Sequence, residues 1–224
     1  MALDRVAVIG GTGEEGFGLS CRWASAGIEV VIGSRDAGRA DEAAGRLRAL
    51  VPDARVSGLE NGAAAASCRV LVVTVPFSGV VPIYKSIADH LTPDSIVIDG
   101  TVPVEASLGG KATHVFGVWE GSAAQLALAF LPKGTKMCGA FHTLSATALA
   151  ELDEALEGDV LACGSKEGKK AVRALAEAIP NLRFVDAGPL ENARIIEPIT
   201  ALLIGINHRY QTDRAGIAIT GLPD

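Results

Sequence analysis

Val6-Ala7-Val8-Ile9-Gly10 runs into Gly11-Thr12-Gly13-Glu14-Glu15-Gly16-Phe17-Gly18, a short apolar strand feeding a glycine turn that opens a helix. In that setting a GxGxxG pattern points to dinucleotide binding. Gly11 is expected to permit the tight turn, Gly13 to let the backbone approach a pyrophosphate, and Gly16 to let the helix lie close to the strand. The helix start, with free N–H groups and the positive end of its dipole, then holds the phosphates. The expected binding residues of this stretch are Gly11, Thr12, Gly13, Glu14 and Gly16.

The next strand selects the nucleotide. An Asp or Glu roughly 20 residues past the fingerprint bonds the ribose 2′-OH of NAD, whereas an Arg there accommodates the 2′-phosphate of NADP. Here Ile28-Glu29-Val30-Val31-Ile32-Gly33 ends in Ser34-Arg35, with no carboxylate at its tip. NADP(H) is therefore expected. Ser34 and the guanidinium fork of Arg35 would donate to the phosphate, and Arg39, one turn on, is either a second cation or part of a solvated helix face.

Composition narrows the setting. The chain has 224 residues, long enough for one large domain or two small ones. Hydrophobic residues make up 49% and aromatics only 4%, which fits close-packed helices on a sheet. A formal net charge of -6 argues against nucleic acid or an acidic membrane as partner. Cys21, Cys68, Cys138 and Cys163 are scattered without CxxC spacing, so neither a metal site nor a redox pair is expected. Nothing before Val6 reads as a signal peptide and no apolar run could span a bilayer, so the expected location is the cytoplasm.

Onward from the fingerprint, helices are expected over 17–26 and 36–50, with a short strand at 55–59 between the second helix and a brief helix over 63–66 that Asn61 caps. Residues 69–75 form a continuous apolar, β-branched run, the pattern of a parallel strand buried on both faces. Residues 76–79 and 99–104 then lie at carboxyl ends of strands, the edge where doubly wound sheets bind ligands. A helix over 81–91 and a strand over 95–98 continue the βαβ alternation. After a glycine-rich stretch over 109–121, Ser122 and Gln125 form a capping box for a helix reaching about Leu131. Strands at 135–141, 160–163 and 182–185 alternate with helices at 145–152 and from Ser165 to just before Pro180. The fold expected is a doubly wound, mostly parallel Rossmann-type sheet over 1–140, with a smaller C-terminal α/β part over 141–224. The apolar residues of 190–210 cover most of a helix circumference, which calls for burial on more than one side and suggests a twofold dimer, with Pro198 kinking or interrupting the helix.

Acid/base machinery is sparse. There is no HExxH, no GxSxG and no suited carboxylate pair. His142 alone among four histidines is placed by a strand end near the ligand edge, where it is either catalytic or a satisfied structural histidine. Hydride transfer between two cofactors suits such a site, since positioning carries it.

Five stretches together carry a resemblance: residues 8–13, Ile32-Gly33-Ser34-Arg35, Ala140-Phe141-His142-Thr143, Asp186-Ala187-Gly188-Pro189-Leu190 with Asn192-Ala193-Arg194, and Gly216-Ile217-Ala218-Ile219-Thr220-Gly221. They resemble the F420-dependent NADP oxidoreductase family over nearly the whole chain. The resemblance implies a homodimeric, reversible hydride carrier between NADP(H) and the 8-hydroxy-5-deazaflavin coenzyme F420. It makes Thr12, Gly13, Ser34, Arg35 and Arg39 the NADP phosphate contacts and Thr74, Val75, Pro76 and Phe77 the ribose and nicotinamide wall. Val102, Pro103, His142, Thr143, Leu203 and Asn207 would border the deazaflavin. The chain is also similar to the NADPH-binding domain of membrane ferric reductases, without a membrane segment. Two positions depart from archaeal members: Phe77 stands where they have Trp, and Ser145 where they have Pro. Both fall on the second-substrate side, leaving open a flavin or pterin acceptor, or a module that senses NADP(H) without catalysis.

Overall fold

The computed structural model describes residues 3–222. Its strands are β1 (Arg5–Ile9), β2 (Glu29–Ser34), β3 (Val56–Glu60), β4 (Val70–Val73), β5 (Ile96–Asp99), β6 (Lys136–Gly139), β7 (Gly158–Gly164) and β8 (Leu182–Asp186). The helices are α1 (Glu14–Ser25), α2 (Ala37–Leu50), α3 (Asn61–Ser67), α4 (Val80–Ala88), α5 (Ala123–Leu128), α6 (Ala146–Ala150), α7 (Lys166–Glu177), α8 (Ala193–Ile196) and α9 (Ile199–Tyr210). The strands form one sheet in the order β3-β2-β1-β4-β5-β6-β7-β8. All pairs are parallel except β6 with β7. The mostly parallel Rossmann-type sheet expected from sequence is therefore present, and it runs on across residue 140.

Strand order reverses between β1 and β4, which opens a crevice at their carboxyl ends. The register aligns those ends. Ile9 pairs Gly33 on one side and Val73 on the other, Val73 pairs Asp99, and Asp99 pairs Gly139. A single row across the sheet thus launches five loops from one edge.

Both sheet faces are covered. Trp23, Leu47, Leu149 and Leu175 fill one side, and Tyr84, Ile87, Ile83 and Ile196 fill the other. Trp23 is fully buried, donates from Nε1 to the Leu175 carbonyl at 3.0 Å, and meets the Phe141 ring edge-on at 5.5 Å. Beneath it, the buried guanidinium of Arg22 donates to the carbonyls of Ala148 (2.8 Å), Leu149 (3.0 Å), Glu151 (2.5 Å) and Glu154 (2.9 Å). One cation thereby satisfies the carbonyls at the end of α6 that the helix itself cannot.

Two local expectations need correction. Asn61 does not cap α3: the helix starts two residues earlier than expected, so Glu60 becomes the cap and accepts from the Gly62 N–H at 2.7 Å. The helix after Ser122 is shorter than expected, although Ser122 accepts from the Gln125 N–H at 3.0 Å as the capping box requires. The interruption expected at Pro198 is present: the 190–210 stretch is a 3-10 turn (Leu190–Asn192) followed by α8 and α9, divided at Pro198, which has no N–H to continue the ladder.

Replacing Arg22 by Met would leave these carbonyls buried without donors. Arg22→Met is expected to lower unfolding free energy by about 3 kcal/mol, measured by urea denaturation; a loss under about 1 kcal/mol would show the carbonyls find other donors.

Candidate functional site

The turn after β1 is shaped by backbone approach. Gly10 adopts φ +81°, and a Cβ there would stand 2.7 Å from the Thr74 carbonyl oxygen. The left-handed residue of the turn is thus Gly10, one place before the glycine expected. A Cβ on Gly16 would lie 2.3 Å from Thr74 Oγ1, so α1 rests directly on the end of β4. Gly13 differs. A Cβ there would meet only the Gly10 carbonyl oxygen, at 3.4 Å, so its outer side is open. Gly13 is also the N-cap of α1 and offers no side-chain cap, which leaves first-turn N–H groups for an anion.

A cavity of about 680 Å³ opens at this point, within the usual range for a small-molecule site. It brings together Thr12, Gly13, Ser34, Arg35, Arg39, Thr74, Val75 and Pro76 from the ends of three strands, β1, β2 and β4. Arg35 and Arg39 are exposed, and among the described residues neither is in an ion pair. Two cations, an uncapped helix start and an open glycine fit a phosphorylated dinucleotide.

Sequence reading missed Asp36, Glu60 and Asn61, which also line the cavity. The two carboxylates are committed to backbone: Asp36 Oδ1 accepts from the Arg39 N–H at 3.0 Å and Glu60 caps α3. Glu60 pairs Ser34 in the β2–β3 register, so reading the tip of the third strand as carefully as the second would have found it. Asn61 Oδ1 is buried and has no partner among the described residues, a polar atom left beside the cleft.

The expected second-substrate residues are more dispersed. Phe77 lies in the 3-10 turn after β4 and meets the Phe116 ring at 5.7 Å, while the Pro103 carbonyl accepts from the Phe116 N–H at 2.8 Å. Thr143 lines a smaller cavity of about 200 Å³ with Arg214 and Ile217. Leu203 is buried in α9, and Asn207 Oδ1 accepts from the Ala215 N–H at 2.9 Å. His142, Val102, Pro103, Leu203 and Asn207 line neither cavity.

At the same sheet edge sits a group of buried acids. Burial and the neighbouring Asp99 raise the Glu15 carboxyl to about 8. Burial raises Asp99 to about 6 against the lowering effect of the Tyr84 and Thr101 hydroxyls, and burial lowers His142 to about 4, keeping its ring neutral at physiological pH.

Arg35 is the cation the second strand tip delivers to the cavity. Arg35→Ala is expected to weaken NADPH binding by about one to two decades and leave NADH unchanged, measured by fluorescence titration; equal weakening of both would remove Arg35 from the 2′-phosphate.

Comparison with known proteins agrees with this geometry. The sequence profile described as NADP oxidoreductase, coenzyme F420-dependent, matches residues 5–103. The F420-dependent NADP reductase of Methanothermobacter thermautotrophicus is 45% identical over 224 residues, covering 98% of this chain and 96% of its own. That of Methanocaldococcus jannaschii is 36% identical over 97% of this chain and 99% of its own. Among solved structures, a candidate F420-dependent NADP-reductase from Arthrobacter sp. FB24 superposes with a TM-score of 0.80 at 20% identity, covering 98% of this chain and 100% of that one. The NADP-bound pyrroline carboxylate reductase of Plasmodium falciparum gives a TM-score of 0.59 at 12% identity, over 94% of this chain and 63% of that one, a likeness of fold. On its near-full-length identity to these reductases, the chain belongs to the F420-dependent NADP reductase family.

Proposed function

We propose that the chain catalyses reversible hydride transfer between NADP(H) and the deazaflavin coenzyme F420. The observation that carries this reading is the cavity at the β1/β4 reversal, where an uncapped helix start meets two cations without ion pairs, in a chain 45% identical to a named F420-dependent NADP reductase. Thr12, Gly13, Ser34, Arg35 and Arg39 bind the NADP phosphates, and Thr74, Val75, Pro76 and Phe77 orient its ribose and nicotinamide. Gly11 and Gly16 shape the loop, and Glu14 stands at the helix start. Val102, Pro103, Thr143, Leu203 and Asn207 border the second ring.

When both are bound, the nicotinamide supplies a hydride and the deazaflavin accepts it. The chain's part is geometry, because reacting carbons must meet at about 3–3.5 Å. A neutral, enclosed His142 is poorly suited to donate protons to solvent-facing substrate; it holds its segment in place, its carbonyl accepting from the Thr200 hydroxyl at 2.6 Å. The test uses NADPH deuterated at the transferring position. The label is expected in the reduced deazaflavin, and label lost to water would require another mechanism.

We also infer a cytoplasmic homodimer through 190–210, with neither nucleic acid nor membrane as partner. Ile196 and Leu203 are buried within the chain, whereas Ile195 and Leu202 are exposed at 61% and 62% and supply the apolar face for a twofold contact. No helix among the described residues is long and apolar enough to cross a membrane. Leu202→Glu is expected to turn a sedimenting dimer into a monomer at micromolar concentration. A wild-type chain that already sediments as a monomer would contradict the inference.

A further inference from the structure

Behind the cleft, three side chains from separate elements face one another in the interior. Asp99 ends β5, His142 follows β6 and Glu197 follows α8; all three are buried, and one ligating atom of each lies within 4.8 Å of the others. None lines the cavity at the β1/β4 reversal.

Their hydrogen bonding is incomplete. Asp99 Oδ1 accepts from the Tyr84 hydroxyl at 2.6 Å and the Thr101 hydroxyl at 2.9 Å, while Oδ2 has no partner among the described residues. Glu197 accepts from the Ala123 N–H at 2.8 Å and the Ala124 N–H at 3.0 Å. Among the described residues His142 has no partner at either Nδ1 or Nε2, although a neutral imidazole carries one N–H to donate and one lone pair to fill. A buried ring left so is costly unless something sits against it. The ring is also firmly aimed: Phe141, immediately before it, is held at φ 72° with its own ring packed on Trp23, and Thr200 fixes the His142 carbonyl.

We propose that Asp99, His142 and Glu197 bind a divalent transition-metal ion that ties the end of β5, the segment after β6 and the α8–α9 junction together. Two carboxylates and a neutral imidazole balance the charge of one such ion. One nitrogen and two oxygen donors suit the manganese-to-zinc series, whereas magnesium and calcium prefer oxygen alone. Small side-chain rotations bring atoms already this close to the roughly 2.1 Å of a zinc bond to nitrogen or oxygen. Water fills the remaining coordination positions. No spacing pattern announces the site, because its ligands arrive from three distant parts of the sequence.

The test titrates chelator-stripped full-length protein with Co²⁺, followed by its visible d–d absorption, and then adds Zn²⁺. Saturation at one Co²⁺ per chain is expected, without the thiolate-to-cobalt band that Cys138 or Cys163 would give, and with the signal lost on adding Zn²⁺. His142→Gln and Asp99→Asn should each weaken uptake by more than about tenfold while far-UV circular dichroism stays unchanged. No saturable uptake by the wild-type chain, a thiolate band, or full uptake by a folded His142→Gln variant would overturn the proposal. Should the variants not fold, the wild-type stoichiometry and spectrum decide alone.

Discussion

Everything at the cofactor edge depends on how closely the backbone of the first turn approaches the end of β4. Gly10 and Gly16 both lie against Thr74, one on its carbonyl and one on its hydroxyl, at separations no side chain could enter. The Thr74 N–H in turn donates to the Ile9 carbonyl at 2.9 Å, locking the two strand ends together. If either glycine carried a side chain, α1 would be pushed off the sheet and its first-turn N–H groups would no longer point into the crevice. Glycine here is a geometric requirement, and the cleft beside α1 is its consequence.

The register carries that constraint across the molecule. Because Gly33, Ile9, Val73, Asp99 and Gly139 form one row, Ser34, Gly10, Thr74, Gly100 and Ala140 all leave the sheet at one height. The same edge therefore holds both the cationic cleft and, farther along, the buried Asp99 and His142. The helices pack unevenly by charge: Arg22 is buried and fully engaged with carbonyls, whereas Arg35 and Arg39 stay exposed and without ion pairs. A cation needed for structure has been given protein partners. The cations that line the cleft have not.

Much of this was legible in the sequence, for a physical reason. The order strand, glycine turn, helix is a local signal, and Ser34-Arg35 at a strand tip is read within a few residues, so these residues of the cavity lining could be named in advance. Buried parallel strands announce themselves as apolar runs, as residues 70–73 do. The rest is non-local. Nothing near Asp36 in the chain says that its carboxylate would line the cleft while capping α2. The Asp99, His142 and Glu197 cluster is formed by tertiary packing of three elements, which no spacing rule reports. The 190–210 stretch reads as one helix by composition, and a single missing N–H at Pro198 divides it.

The account's central claim is that the dinucleotide phosphates lie against Gly13 at the start of α1. Gly13→Leu tests it directly, since a Cβ at this position has open space outward and the fold should tolerate it. Calorimetric titration with NADP⁺ is predicted to show binding lost in Gly13→Leu, with an unchanged melting temperature. Wild-type affinity in that variant would place the phosphates elsewhere and contradict the account.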